Sequence, residues 1–329
     1  MKSKLAINIL VCLISLFLFL LAAEIILRFS WKMGGWGKRP IYQRSVNPYL
    51  RYELIPNSKT GLVVINSYGF RGREYLRVRP KNIFRIVMLG DSETLAFKLP
   101  EEESLPSQLE HLMKQNLPHK RCEVLNCGVE GYNTAQELEQ LKIKAIKFDP
   151  NLIILNYVLN DPESAGYCLS KDFFTRHSAL VRYFTYLTRN TLIKQEKRKL
   201  GINSEVENFR YLHSPKYFKQ RVEDPIKEMA AIAKARGSKL VVVIIPTSSI
   251  EVKDFKENYP YRALHELVKG IDSGNIIFID LIQEYNRLGL TPQTVSINYA
   301  VNESHKNALA LKVAANYIYN TLKSEKLLP

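Results

Sequence analysis

Apolar positions along this chain follow two rhythms: short, nearly continuous runs, and longer stretches in which they recur every three or four residues. The runs lie at 84–89, 123–126, 152–158, 239–245 and 276–281, and their length and β-branched content predict strands buried on both faces. The longer stretches predict amphipathic helices at 105–117, 135–148, 217–236 and 305–322. In the first of these Leu105, Leu109, Leu112 and Met113 share one face, and the third ends at Gly237. Strand and helix alternate, which predicts an α/β fold with a central parallel five-stranded sheet covered by helices on both sides. Ahead of it, 61–70 reads as a strand and a tight turn. No internal repeat is visible.

A different pattern opens the chain. Residues 5–29 are apolar except for Asn8, Ser15, Glu24 and Arg28, and about 20 such residues span a bilayer as a helix. Met1-Lys2-Ser3-Lys4 forms a basic lead, the run is long for a cleaved signal peptide, and Leu21-Ala22-Ala23 is only a fair cleavage site, so an uncleaved signal anchor is expected over 1–30. Arg28, Lys32, Lys38 and Arg39 follow the span and outnumber Lys2 and Lys4, a bias that argues for keeping the following part inside. Long C-terminal domains translocate largely regardless of that bias. The expectation is therefore a single-pass protein of a bacterial inner membrane with its main domain on the periplasmic side. Residues 31–80 are read as a juxtamembrane connector with a small β segment, and 81–329 as the main domain.

Composition sharpens this picture in two places. With 329 residues and 46% hydrophobic content, the chain has enough apolar side chain for one large α/β domain plus appendages. A formal net charge of +15 suits work beside anionic lipid headgroups or acidic envelope polymers. Nucleic acid is not expected as a partner, because no recognition motif accompanies the charge and the anchor argues against it. Much of the surplus lies in one segment. Between 162 and 215 there is more chain than a crossover needs, and residues 171–221 hold twelve Lys/Arg against four Asp/Glu. Phe173, Phe174, Tyr183, Phe184 and Tyr186 are interleaved with those cations. Two readings stay open: a solvated helical insertion with an ordinary aromatic core, or a lid or membrane-facing surface for an anionic lipid, polysaccharide or lipid-linked substrate. The cysteines Cys12, Cys122, Cys127 and Cys168 have no metal-ligand spacing and imply no disulfide framework; a single bridge through Cys168 has no support in the pattern.

The chemistry-bearing residues sit where elements end. Ser92 follows the first run in Met88-Leu89-Gly90-Asp91-Ser92, and Gly128 follows the second in Asn126-Cys127-Gly128. Asn160 follows the third in Val158-Leu159-Asn160-Asp161, and His305 opens the last stretch in Asn302-Glu303-Ser304-His305. Three of these are C-terminal strand edges, where open α/β sheets gather their ligands. A serine hydroxyl becomes a nucleophile when an imidazole accepts its proton, and attack on an ester creates an oxyanion that needs preorganised donors. The backbone N–H groups of Ser92 and Gly128 and the side-chain amide of Asn160 are the candidates. Each residue also has an ordinary reading, as turn serine, loop glycine, turn asparagine or capping histidine. His111, His119, His177, His213 and His265 share no motif and are read as surface or structural residues, and Asp91 and Asp161 as braces of their turns.

In these four blocks the chain resembles the SGNH subgroup of the GDSL hydrolases, from about Lys81 onward, in the same order and context. The anchor and Asn66-Ser67-Tyr68-Gly69-Phe70-Arg71-Gly72 resemble the preamble of its membrane-anchored bacterial members. The resemblance implies a flavodoxin-like three-layer α/β/α fold and esterase, deacetylase or O-acyltransferase chemistry. It implies Ser92 as nucleophile, His305 as base, and Ser92, Gly128 and Asn160 as the oxyanion hole. Two positions depart from the pattern. Val158 stands where glycine is usual in the third block, and Asn302 stands where an aspartate usually orients the histidine. Asparagine can accept the imidazole hydrogen bond but brings no charge, a change that costs about 10⁴ in rate in a serine protease. Glu303, one residue further on, is expected to point elsewhere. No metal and no cofactor is expected, since nothing resembles a phosphate loop or a metal cluster. The expected function is hydrolysis or transfer of a small acyl group, acetyl above all, on an envelope glycan or lipid. The alternative is a catalytically impaired SGNH fold that binds polysaccharide or scaffolds an assembly complex.

Overall fold

Strands with no polar face have to lie between two layers of helix. The computed structural model describes residues 2–31, 41–163, 178–256, 258–272 and 274–329, and it arranges the apolar runs in that way. Four short strands come first: β1 (Tyr42–Arg44), β2 (Tyr52–Leu54), β3 (Lys59–Thr60) and β4 (Val63–Val64), paired antiparallel as β1–β2 and β3–β4. The main sheet consists of β5 (Ile83–Leu89), β6 (Arg121–Asn126), β7 (Leu152–Tyr157), β8 (Leu240–Ile244) and β9 (Ile276–Asp280), all parallel. Its spatial order is β6-β5-β7-β8-β9. Counted within the sheet this is 2-1-3-4-5, the flavodoxin-like doubly wound order. A final hairpin pairs β10 (Ser296–Asn298) with β11 (Glu303–Lys306).

The helices follow from that order. Besides two single turns at Pro215–Phe218 and Pro292–Val295, those described are α1 (Lys2–Trp31), α2 (Ser92–Leu95), α3 (Leu105–Asn116), α4 (Thr134–Ile143), α5 (Ala179–Lys199), α6 (Glu205–Leu212), α7 (Asp224–Ala235), α8 (Arg262–Lys269), α9 (Leu281–Arg287) and α10 (Ala308–Ser324). The chain moves one way from β5 to β6 and the other way from β6 to β7, so right-handed crossovers place α3 and α4 on opposite faces. Accordingly α3 packs with α10 and α10 with α9, while α4 packs with α7. Val241, Val242 and Val243 of β8 are completely buried between these layers. Burying one such side chain contributes about 1.5–3 kcal/mol.

The structure differs from the pattern-based reading in several elements. The stretch 135–148 is α4 followed by a 3₁₀ turn, Ala145–Phe148. The stretch 217–236 starts at Pro215 and passes through a π turn, Lys219–Glu223, before α7. The last helix begins at Ala308 behind its cap Asn307, whose Oδ1 accepts the Ala310 N–H at 3.0 Å. His305 therefore lies on strand β11, not at a helix start, and this difference matters for the site.

Residues that follow α1 do more than connect. Ile41, Leu50, Tyr52, Leu54, Val63 and Ile65 form a second buried cluster with Leu95, Val129 and Tyr132, residues that flank the main sheet's upper edge. In α1 the 25-residue stretch Lys4–Arg28 contains an 18-residue window of mean hydropathy 2.9 with none of it buried, long and apolar enough to cross a membrane. Near its end Glu24 accepts hydrogen bonds from Ser178 Oγ (2.8 Å) and from the N–H groups of Ala179 (2.8 Å) and Leu180 (2.9 Å), capping the basic helix α5. On α5, Phe184 and Leu192 are exposed. Cys168, Phe173, Phe174 and His177 of the insertion, like Lys32, Lys38 and Arg39, lie outside the described residues, and with Cys168 goes the single bridge considered for it. Cys12, Cys122 and Cys127 are free thiols.

Candidate active site

Strand β5 delivers the central residue. It runs out at Gly90, whose φ of +152° and missing side chain admit Thr94 and Asn156; a Cβ there would lie 3.0 and 3.1 Å from their Cβ atoms. Asp91 then caps α2, its Oδ1 accepting the Glu93 N–H at 2.9 Å, and Ser92 becomes the first residue of that four-residue helix. The Ser92 hydroxyl thus stands at the carboxyl edge of β5, beside β7, where the order of the sheet reverses.

His305 reaches it from the far end of the chain. Its Nε2 lies 2.9 Å from Ser92 Oγ across 213 positions of sequence. Its Nδ1 faces the Glu303 carboxylate at close hydrogen-bond range. A carboxylate only accepts, so Nδ1 carries the hydrogen and Nε2 is left to accept the Ser92 O–H. The hairpin is pinned to α2 by the Lys306 N–H, which donates to Glu93 Oε2 at 3.0 Å. Below it Lys306 Nζ, buried to 3% exposure, donates to Ser248 Oγ at 3.1 Å and to the Ser304 carbonyl at 3.2 Å. Burial pushes that ammonium group down from its ordinary range.

Here the structure corrects the sequence reading. Asn302 does not touch His305: it adopts the left-handed conformation at φ +57°, and its Oδ1 accepts the Ile250 N–H at 3.0 Å. The reason is the hairpin. Asn302 occupies the turn before β11, a conformation that asparagine tolerates. In the strand that follows, alternate side chains share a face, so Glu303 and His305 point the same way. Glu303 also pairs with Lys98 Nζ from the loop after α2.

The loop after β6 needs a second correction. Gly128 does not reach the cavity; its N–H donates to Asn126 Oδ1 at 3.0 Å. A Cβ on Gly128 would stand 2.7 Å from the Thr94 carbonyl carbon and 2.9 Å from Leu95 Cα, so this glycine lets the loop pack on α2. Gly131, at φ +74°, is the glycine that lines the cavity, and its N–H is not taken up by any described residue. Asn133 fixes the loop behind it through a capping box with Gln136 and through its Nδ2, which donates to the Glu163 carbonyl at 2.9 Å. Asn160, after β7, is exposed and lines the same cavity, as does Val158.

The cavity measures about 280 Å³ and brings Ser92, Gly131, Asn160 and His305 to one space. Its walls also carry Glu130, Glu163, Glu205 and Phe209. Beneath it lies a set of buried carboxyls that the sequence did not reveal. Asp91 is 2% exposed, and its carboxyl is pushed up to about 6 by burial and by repulsion from Glu93. Glu137 has no exposure and neither of its oxygens finds a partner among the described residues. Asp161 accepts the Thr134 hydroxyl at 3.1 Å with one oxygen. Burial first pushes Glu137 and Asp161 well above the ordinary carboxylate range, helped by repulsion from Asp91 at Glu137 and from Glu137 and Asp91 at Asp161. Among the other histidines, His111 and His119 are exposed, whereas His213 and His265 are buried. His213 donates through Nδ1 to the Phe209 carbonyl at 2.7 Å and accepts the Tyr157 hydroxyl at 2.6 Å, and burial brings it down to about 4. His265 is held by Asp280 at 3.0 Å. Among the described residues no group of three His, Cys, Asp or Glu side chains is arranged to hold a metal ion.

No protein-family profile matches the chain, and no curated protein sequence is significantly similar to it. Solved structures are similar at low identity. An α/β-hydrolase enzyme from the metagenome of Lake Arreo, Spain, shares 12% identity at a TM-score of 0.48, covering 75% of this chain and 96% of that one. An acetylxylan esterase from Geobacillus stearothermophilus shares 13% identity at a TM-score of 0.47, covering 72% and 93%. A protein assigned to the G-D-S-L family from Desulfitobacterium hafniense shares 14% identity at a TM-score of 0.41, covering 72% and 99%. The solved structures this chain is similar to are thus hydrolases of α/β and G-D-S-L type, at a distance too great to assign it an activity.

Proposed function

We propose that this chain is a membrane-anchored serine ester hydrolase or O-acyltransferase that works through an acyl-Ser92 intermediate. The observation that carries the reading is the linear arrangement Ser92 Oγ, His305 imidazole, Glu303 carboxylate, with 2.9 Å between Oγ and Nε2. In the proposed reaction Ser92 Oγ attacks the ester carbonyl while Nε2 takes its proton, and Glu303 stabilises the imidazolium that forms. The oxyanion falls near three donors: the Ser92 N–H at the start of α2, the Gly131 N–H and the Asn160 side-chain amide. Collapse expels the alcohol, which takes the proton back from His305. Water or a sugar hydroxyl then removes the acyl group by the same steps in reverse.

The cavity supports a small, uncharged acyl ester, acetyl above all. It is about 280 Å³ in volume, and the carboxyl side chains lining it outnumber Lys306, the one Lys or Arg among its described lining residues. The apolar helix α1 and the basic helix α5 support a substrate at a membrane surface; an acylated envelope glycan or lipid, met on the periplasmic side, is the part of the proposal that goes beyond them. The alternative, a fold that has lost catalysis, drew on Asn302, and Glu303 removes that argument. The test is hydrolysis of 4-nitrophenyl acetate by the full chain in detergent. Turnover that disappears in Ser92→Ala and in His305→Ala supports the proposal; equal rates in all three forms refute it.

A further inference from the structure

The segment Asn66-Ser67-Tyr68-Gly69-Phe70-Arg71-Gly72 has no part in the chemistry above, yet the structure devotes a buried network to it. Asn66 builds the turn: its Oδ1 accepts the N–H groups of Tyr68 and Phe70, both at 3.0 Å, and its carbonyl accepts the Gly69 N–H at 3.1 Å. Gly69 takes φ +78°, and Phe70, fully buried, meets Phe148 at 5.4 Å between ring centres. The turn thereby drives Arg71 inward to 1% exposure. Its backbone N–H donates to the Asn126 carbonyl at 3.3 Å, adding one rung beside β6. Its guanidinium then does something specific. Nη1 donates to the carbonyls of Leu95 and Ala96, the latter at 2.6 Å, and Nη2 to the carbonyl of Leu99 at 2.6 Å.

Those carbonyls belong to the C-terminal end of α2 and the loop that follows it, and α2 carries Ser92 at its first position. The last carbonyls of a helix have no partner within it, and a four-residue helix has almost no hydrogen bonding of its own to hold its shape. Asn126 Nδ2 donates to the Thr94 carbonyl at 2.9 Å and Asn156 Nδ2 to Thr94 Oγ1 at 2.8 Å, so neighbouring side chains complete the clamp. A buried cation at this end also complements the helix dipole.

We propose that Arg71 is a positioning residue for Ser92, which makes the juxtamembrane segment part of the catalytic apparatus. The proposal rests on the reading of Ser92 as the nucleophile. Arg71 acts through α2 and the loop that follows it: it fixes the helix axis, and so the place of the Ser92 hydroxyl and N–H relative to His305. Misplacement by about 1 Å at a reacting centre can cost about a hundredfold in rate.

The test uses the full chain in detergent, well below its unfolding midpoint, with folding checked by circular dichroism. Arg71→Lys keeps the charge but can serve only part of the carbonyl set; Arg71→Met removes the clamp. Arg85→Met serves as control, since Arg85 is equally buried but binds Glu123 and the Phe148 carbonyl, away from α2. The expected result is a folded Arg71→Lys with kcat for 4-nitrophenyl acetate down about tenfold, KM within twofold, and fluorophosphonate labelling of Ser92 slowed in parallel. Folded Arg71→Met should lose about a hundredfold, and folded Arg85→Met should keep kcat within twofold. A folded Arg71→Lys with wild-type kcat and labelling rate overturns the proposal, whatever becomes of Arg71→Met. A wild-type chain that is never labelled at Ser92 overturns the underlying reading instead.

Discussion

Replacing Glu303 by glutamine tests the assignment on which the sequence and the structure disagree. The carboxylate faces His305 Nδ1 and so stabilises the imidazolium as Ser92 gives up its proton. Two unit charges about 4 Å apart at an effective dielectric of about 20 attract by about 4 kcal/mol. Part of that is offset, because Lys98 holds the other carboxylate oxygen and its own charge repels the imidazolium. Glu303 is also 20% and His305 39% exposed at the side chain, so solvent screens the pair more than in a buried triad. About 2–3 kcal/mol remains, which corresponds to about a hundredfold in rate, less than the 10⁴ of a buried protease aspartate. The assay is steady-state turnover of 4-nitrophenyl acetate together with the rate of Ser92 labelling. Both should fall about a hundredfold in Glu303→Gln with KM little changed. A variant within threefold of wild type would refute the idea that Glu303 supports the base.

Asn302→Asp should change turnover by less than twofold, because the side chain caps Ile250 and does not touch His305; a tenfold rise would return the acid role to this position. Gly128→Ala should cost folding, read as a large drop in melting temperature, because its Cβ meets the α2 backbone. Gly131→Ala, at φ +74°, should stay folded and lose about tenfold in kcat, since about 1–2 kcal/mol of backbone strain shifts the N–H; unchanged kcat would remove Gly131 from the oxyanion site. The buried carboxyls predict a pH dependence of stability. Glu137 holds its proton more tightly folded than unfolded, so its contribution is unimpaired at low pH and stability falls as pH rises above the ordinary carboxyl range. Glu137→Gln should therefore gain on wild type in melting temperature from pH 5 to pH 9; a constant difference would show that Glu137 does not titrate as described.

Much of the architecture was legible because the strands of the main sheet advertise themselves. Leu240–Ile244 is apolar throughout and Ile83–Leu89 is broken only by Arg85, and a run with no polar face has one home in an α/β protein. The ends of such runs also mark the sheet's carboxyl edge, which singled out Ser92 and Asn160, whereas His305 was singled out by its block near the last helical stretch; all three line one cavity. What escaped has physical causes. Strands of two or three residues such as Tyr42–Arg44 carry too little pattern to be seen. Glu303 is offset by one residue from the usual acid position, and the period of two that places it on one face with His305 operates only in a strand, which the pattern there did not predict. Gly128 and Gly131 share a loop, and only the Asn126 side chain, by occupying the Gly128 N–H, separates their parts. Arg71 looks like one more surface cation in a chain of net charge +15, and nothing local announces that a turn built by Asn66 buries it.

The account stands or falls on Ser92 being a nucleophile armed by His305. The most direct measurement is peptide mapping by mass spectrometry after exposing the full chain to a fluorophosphonate at neutral pH. It predicts one adduct, on the peptide bearing Ser92, and a severe loss of that adduct in His305→Ala. An unmodified Ser92, or labelling that persists undiminished without the imidazole, would contradict it.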